Sequence, residues 1–146
     1  MRMEHGAGAR RFLTFFVTAL SVAALYGLLV PDAVAKDEQT AKKQISVEDA
    51  KAKLDSGERI VFLDVREPTA YNGGHIPNAI NIPEQYCELE VPLIIPDPSS
   101  FLVIYSDVEK KALNALRILH LTGYKNAVVL VGGLQAWEQA GYPLQK

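Results

Sequence analysis

A hydroxyl, two carboxylates and two ammonium groups follow one another in "FLVIYSDVEKKAL", Phe101 to Leu113, where an apolar run gives way to a helical pattern. Successive backbone N–H groups leading into a helix attract anions, so Ser106, Asp107, Val108, Glu109, Lys110 and Lys111 form a candidate binding loop. An alcohol has no accessible anion at neutral pH. As a nucleophile Ser106 would need a base within hydrogen-bond reach and a group to orient that base, and beyond residue 35 the only histidines are His75 and His120. Asp107 and Glu109 either oppose a bound anion or give the helix a favourable negative start. Lys110 and Lys111 either draw in an anion or form a solvated face, and a lysine lacks the planar fork with which arginine grips oxyanions.

Three further places carry chemistry. Asp64 and Arg66 stand two apart at the end of an apolar run, a spacing that suits a pair holding neighbouring loops. His75 lies in a Gly-His-Ile-Pro turn, where its imidazole is expected to fix the backbone. Cys87 is the sole cysteine, so no internal disulfide is available, and it is either a buried small hydrophobe or a reactive thiol. The carboxylates around it, Glu84, Glu88 and Glu90, raise a thiol's pKa and favour the structural role. No metal-ligand spacing occurs in the chain; neither a metal nor another cofactor is expected.

The elements that position these residues alternate. "SVEDAKAKLDSG" predicts a helix capped by Ser46 and closed by Gly57. "IVFLDV" (Ile60 to Val65), "FLVIY" and "AVVLV" (Ala127 to Val131) are continuous apolar runs of strand length, as expected for strands buried on both faces. "KKALNALRILHLTG" predicts a helix stopping at Gly123, and "LQAWEQAG" another after Gly132 and Gly133. "IPEQYCELEVPLIIPDP" (Ile82 to Pro98) is expected to be a proline-rich connection whose "VPLII" either caps the core or forms a contact surface. Alternating strands and helices predict an α/β fold with a parallel sheet covered on both faces. In such sheets ligands bind beyond the carboxyl ends of the strands, which is where Ser106 falls.

With 146 residues, 49% of them hydrophobic, the chain holds one globular domain with a core. Arg10 and Arg11 precede an uncharged run, Phe12 to Val30, followed by Pro31 and a small-x-small site ending at Ala35. These are the parts of a secretory signal peptide, but the run also approaches the length that spans a bilayer. Residues 1–35 are therefore expected to be a signal peptide or a membrane anchor, 36–44 a linker and 45–146 the domain. Either way the arginines stay inside, and the domain is expected to be exported, periplasmic or anchored outside the cytoplasmic membrane. Without residues 1–35 the chain keeps 12 basic and 15 acidic residues. That balance gives no reason to expect nucleic acid as a partner.

"FLDVREPTAYNGGHIPNAINIP" (Phe62 to Pro83) and "GYKNAVVLVGGLQAW" (Gly123 to Trp137) resemble the two signature stretches of the rhodanese-like family. The resemblance runs from about Ile45 to Leu144. It implies a small α/β domain around a five-stranded parallel sheet, with an active loop after the fourth strand in which a cysteine becomes a persulfide and passes sulfur to an acceptor. The family's loop runs Cys-x-x-Gly-x-Arg-Ser. In this chain Ser106 takes the place of the cysteine, Glu109 of the glycine, Lys111 of the arginine and Ala112 of the serine, with the loop length kept.

A serine cannot stand in for that nucleophile, because sulfur transfer needs a thiolate. Two functions are left open: a binding or scaffolding module of the cell envelope that has lost sulfurtransferase activity, or a sulfurtransferase working through Cys87 or with a partner chain. The expected partners are an envelope protein or a small sulfur-containing anion, and the membrane itself if the N-terminal segment is retained.

Overall fold

The computed structural model of the protein describes residues 43–146. The apolar run from Phe12 to Val30, the small-x-small site and most of the expected linker lie outside the described residues. Among the described residues no helix is long and apolar enough to cross a membrane.

Five strands form the sheet: β1 (Gln44–Ile45), β2 (Ile60–Asp64), β3 (Ile80–Asn81), β4 (Phe101–Tyr105) and β5 (Val128–Leu130). All pair in parallel, in the order β1-β5-β4-β2-β3. The three predicted runs are the three central strands. β4 shows why such runs are continuously apolar: Leu102 and Ile104 face one core cluster, Val103 and Tyr105 the other. A strand covered on both faces has no solvent side to mark with polar residues.

Helices α1 (Val47–Asp55), α2 (Pro68–Gly73), α3 (Cys87–Ile94), α4 (Glu109–Leu121) and α5 (Gly133–Gln139) complete the domain. Ser46 caps α1 as expected, its side chain accepting the Asp49 N–H at 3.1 Å. On one face of the sheet α4 buries Ala112, Ala115, Leu116 and Leu119 beside Cys87 and Val91 of α3. On the other face Trp137 of α5 is fully buried against Phe62, ring centroids 5.4 Å apart.

The segment from Ile82 to Pro98 departs from expectation. It is not an irregular connection: Glu84–Tyr86 form a 3-10 turn that leads into α3. Pro92 lies inside α3 and disguises it in sequence, because an internal proline removes a helical hydrogen bond. Cys87 and Val91 are nonetheless one turn apart and, with Ile95, give the segment a buried stripe. "VPLII" caps the core with Val91 and Ile95, which are buried, and leaves Leu93 82% and Ile94 50% exposed.

Candidate functional site

The β4–α4 loop hangs from the carboxyl end of the central strand. Ser106 itself is buried. Its hydroxyl donates to Asp107 Oδ1 at 3.1 Å and accepts the Val108 N–H at 3.3 Å. Val108 occupies the N-cap position of α4 and supplies no side-chain cap; Ser106, two residues earlier, bonds its N–H. The N–H groups of Asp107, Glu109 and Lys110 have no acceptor among the described residues. The N-terminal nest expected from sequence is therefore largely open.

That loop borders a cavity of about 340 Å³. Ser106, Asp107 and Glu109 line it, together with Gln44 from β1, Ala112 from α4 and the stretch Val129–Gly133. Val108, Lys110 and Lys111 belong to the same loop but do not line the cavity. Among the described residues its wall thus carries two carboxylates and no cationic side chain. For an anion the open N–H groups attract and the carboxylates repel, and a full charge outweighs the partial charge of roughly half a unit at a helix start.

The turn after β5 closes the opposite wall. Gly132 and Gly133 both have positive φ, +72° and +57°. A Cβ on Gly133 would meet the Ser106 carbonyl oxygen at 2.1 Å. Only a glycine lets this backbone reach the loop so closely. The Gly-Gly pair was visible in sequence, but its place in the wall of the Ser106 cavity was not. Nothing in the type or spacing of Gln44 signalled that it lines the site.

The remaining candidates assemble beside the loop. Asp64 and Arg66 are both buried and paired: Arg66 Nε donates to the two Asp64 oxygens at 2.9 and 3.1 Å, and its backbone N–H to Oδ1 at 3.0 Å. Arg66 Nη2 donates to Gly74 O at 2.8 Å, and Asn81 Nδ2 donates to the carbonyls of Asp64 and Arg66 at 3.0 and 2.9 Å. Burial alone would lower the guanidinium's pKa. Its hydrogen bonds to Asp64 and the charges of Asp64 and Asp107 outweigh that and raise it. The pair ties the β2–α2 connection to the Gly-His-Ile-Pro turn through these bonds.

His75 is bonded within its own turn and to the C-terminal stretch. Its Nδ1 lies 3.0 Å from Tyr71 O, its ring stacks on Tyr71 at 3.7 Å between centroids, and its backbone exchanges two hydrogen bonds with Gln145. His120 Nε2 lies 2.9 Å from Ala127 O. Neither histidine lines the Ser106 cavity or bonds to Ser106, so neither is placed to serve as the base of an activated serine. Among the described residues no cluster could hold a metal ion.

Cys87 sits in the core. It is fully buried, its thiol directed at the carbonyls of Ile82 and Pro83 at 3.6 and 3.8 Å. Burial first, then the charges of Glu84 and Glu90, push its pKa up to about 12. In the folded protein it should resist alkylation by iodoacetamide at pH 8, labelling only at the rate of opening; rapid native-state modification would show the core assignment wrong. The raised value also sets a pH dependence. Above about pH 9 the unfolded chain releases this proton and the folded chain keeps it, so stability falls as pH rises toward 12, by up to about 1.4 kcal/mol per pH unit.

A comparison with known protein families decides the kinship: the rhodanese-like domain model matches residues 46–140. The chain belongs to the rhodanese-like domain family. This rhodanese-like domain is similar to an uncharacterised protein of Synechocystis, slr1261, 33% identical over 60% of the chain and 48% of the relative. It is similar also to a putative sulfur carrier protein of Bacillus subtilis, YrkF, 30% identical over 64% of the chain and 50% of the relative. Among solved structures it resembles a thiosulfate sulfurtransferase from Pseudomonas aeruginosa, with a TM-score of 0.66 and 32% identity over 70% of the chain and 20% of that protein. The chain spans about half or less of the length of these three relatives.

Proposed function

We propose that this chain is a cell-envelope rhodanese-like domain that no longer transfers sulfur and acts as a binding or scaffolding module. One observation carries the proposal. At the loop position where the family resemblance places a thiolate, Ser106 offers a hydroxyl already engaged with Asp107 and the Val108 N–H. The cavity around it presents two carboxylates where a sulfur-donating anion would have to enter. Cys87 offers no substitute, being buried in the core and outside the cavity lining. Sulfur carriage and thiosulfate chemistry are named for the relatives, and only the family is shared. The envelope location draws on the arginine-flanked run from Phe12 to Val30 and the site ending at Ala35.

The test is the intact mass of the full chain after incubation with thiosulfate or a glutathione persulfide donor, before and after cyanide. The wild type is expected to gain no cyanide-labile sulfur. A gain that disappears in Cys87→Ser would make the protein an enzyme with a displaced nucleophile. Ser106→Cys is expected to accept sulfur from the persulfide donor. From thiosulfate it should work at least about tenfold more slowly than Ser106→Cys/Glu109→Gly/Lys111→Arg, the equivalent of about 1.4 kcal/mol of anion repulsion in the transition state. Equal rates would show that Glu109 and Lys111 have no part in the loss.

A further inference from the structure

We propose that a groove between α4 and the β1 edge of the sheet is a second binding surface, one that seats the domain on an anionic phospholipid headgroup layer. The groove, about 430 Å³, lies apart from the Ser106 cavity. Its cations are Lys43, Arg117 and Lys125, its apolar walls include Leu113 and Leu121, and no carboxylate among the described residues lines it. In a domain with more acidic than basic residues, this concentration of positive charge is local. The sequence holds no aspartate or glutamate between Glu109 and Glu138.

Three basic residues elsewhere are paired, whereas Arg59, Lys110, Lys111 and Lys146, like the cations of the groove, have no ion-pair partner among the described residues; the groove differs in bringing three such cations together. Lys51 pairs with Asp55, Lys53 with Glu58 and Arg66 with Asp64. No described carboxylate pairs with Lys43, Arg117 or Lys125. Lys125 Nζ donates to His120 O at 2.6 Å, the favourable place for a cation at the end of a helix. The side chains of Arg117 and Lys43 make no such bond among the described residues. Leu121 is 76% exposed and Leu113 40%. Large apolar side chains interleaved with free cations suit a surface that is anionic outside and hydrocarbon beneath.

The chain's course favours lipid over a soluble acidic protein. Lys43 leads directly into β1, where its carbonyl accepts the Val129 N–H at 2.9 Å, so the chain enters the domain at the rim of the groove. The apolar run ends at Val30, and residues 31–42 can span at most ~40 Å when fully extended. With the run in a bilayer, that tether keeps the groove near the headgroups. The other exposed apolar face cannot serve the same purpose. On α3, Leu89 and Leu93 are 73% and 82% exposed, but Glu88 and Glu90 flank them and would be repelled by anionic lipid.

The two faces make an internal control. The full chain is placed in nanodiscs of phosphatidylcholine, with or without phosphatidylglycerol, containing a headgroup spin-labelled lipid, and amide NMR signals are followed. With phosphatidylglycerol, signals from Arg117 to Lys125 are expected to weaken about twofold or more beyond those from Leu89 to Ile94, as a basic patch held at an anionic surface requires. Neutral discs, or Arg117→Glu/Lys125→Glu, should abolish the difference while leaving the amide dispersion of a folded domain. Equal weakening of both faces, a stronger effect at α3, or indifference to the charge reversal would overturn the proposal. So would a soluble poly-glutamate peptide that perturbs the groove amides when phosphatidylglycerol discs do not, an outcome that would assign the groove to an acidic polypeptide.

Discussion

Gly133→Ala is expected to cost the domain about 3–5 kcal/mol in urea unfolding, among the largest effects of any single substitution in the chain. Two penalties coincide at that position. Its φ of +57° disfavours any residue with a side chain, at about 1–3 kcal/mol. A Cβ would also stand 2.1 Å from the Ser106 carbonyl oxygen, which belongs to backbone and cannot swing aside like the end of a flexible chain. The loop after β4 or the turn after β5 must move, and the Ser106 cavity between them must change shape. Gly57→Ala separates the two causes. Gly57 has φ +78° with nothing within 4 Å of its would-be Cβ, so only the conformational penalty applies and about 1 kcal/mol is expected. Should the two substitutions prove equally costly, the close approach of the turn to the loop would not be what Gly133 is for.

Gly133 also marks where sequence reasoning stops. The central strands were legible because burial on both faces leaves an uninterrupted apolar run, and the amphipathic helices α1 and α4 because their buried residues recur at helical spacing with recognisable caps. β1 and β3 contain two residues each, too few to show any period. α3 was hidden by Pro92, the strongest local argument against a helix, which lost to the burial of Cys87, Val91 and Ile95. At the site, residue type revealed the hydroxyl and the carboxylates of the β4–α4 loop, and the family resemblance the missing thiol. It did not reveal which members of the loop face the cavity. That depends on the first turn of α4, which leaves Ser106, Asp107 and Glu109 in the wall and Val108, Lys110 and Lys111 out of it. Contacts between distant backbones, such as Gly133 against Ser106, leave no trace in side-chain chemistry beyond the presence of a glycine.

Arg66→Ala is expected to be nearly as destabilising, at about 3–5 kcal/mol, and for a different reason. Among the described residues the guanidinium is the only cationic side chain bonded to Asp64, whose carboxylate is completely buried. Removing it leaves that charge in the interior with the Arg66 backbone N–H at 3.0 Å and the neighbouring Tyr105 hydroxyl, and leaves the Gly74 carbonyl without its side-chain donor. Tyr105 would feel the same change: burial and the Asp64 carboxylate already raise its hydroxyl pKa, and Arg66 lies 5.8 Å over its ring. Desolvation, not attraction, dominates this arithmetic, so the replacement Asp64→Leu/Arg66→Met should cost far less than Arg66→Ala alone, since an apolar pair of similar volume is often neutral or stabilising in place of a buried ion pair. A double-mutant cycle in urea measures the difference. If the double replacement proved as damaging as the sum of its single changes, the two residues would be acting independently, and the organisation of the Gly-His-Ile-Pro turn by one shared ion pair would have to be given up. If it recovers most of the loss, the cost of Arg66→Ala is that of leaving a buried charge unpaired, and the hydrogen bond from Arg66 to Gly74 adds little net stability.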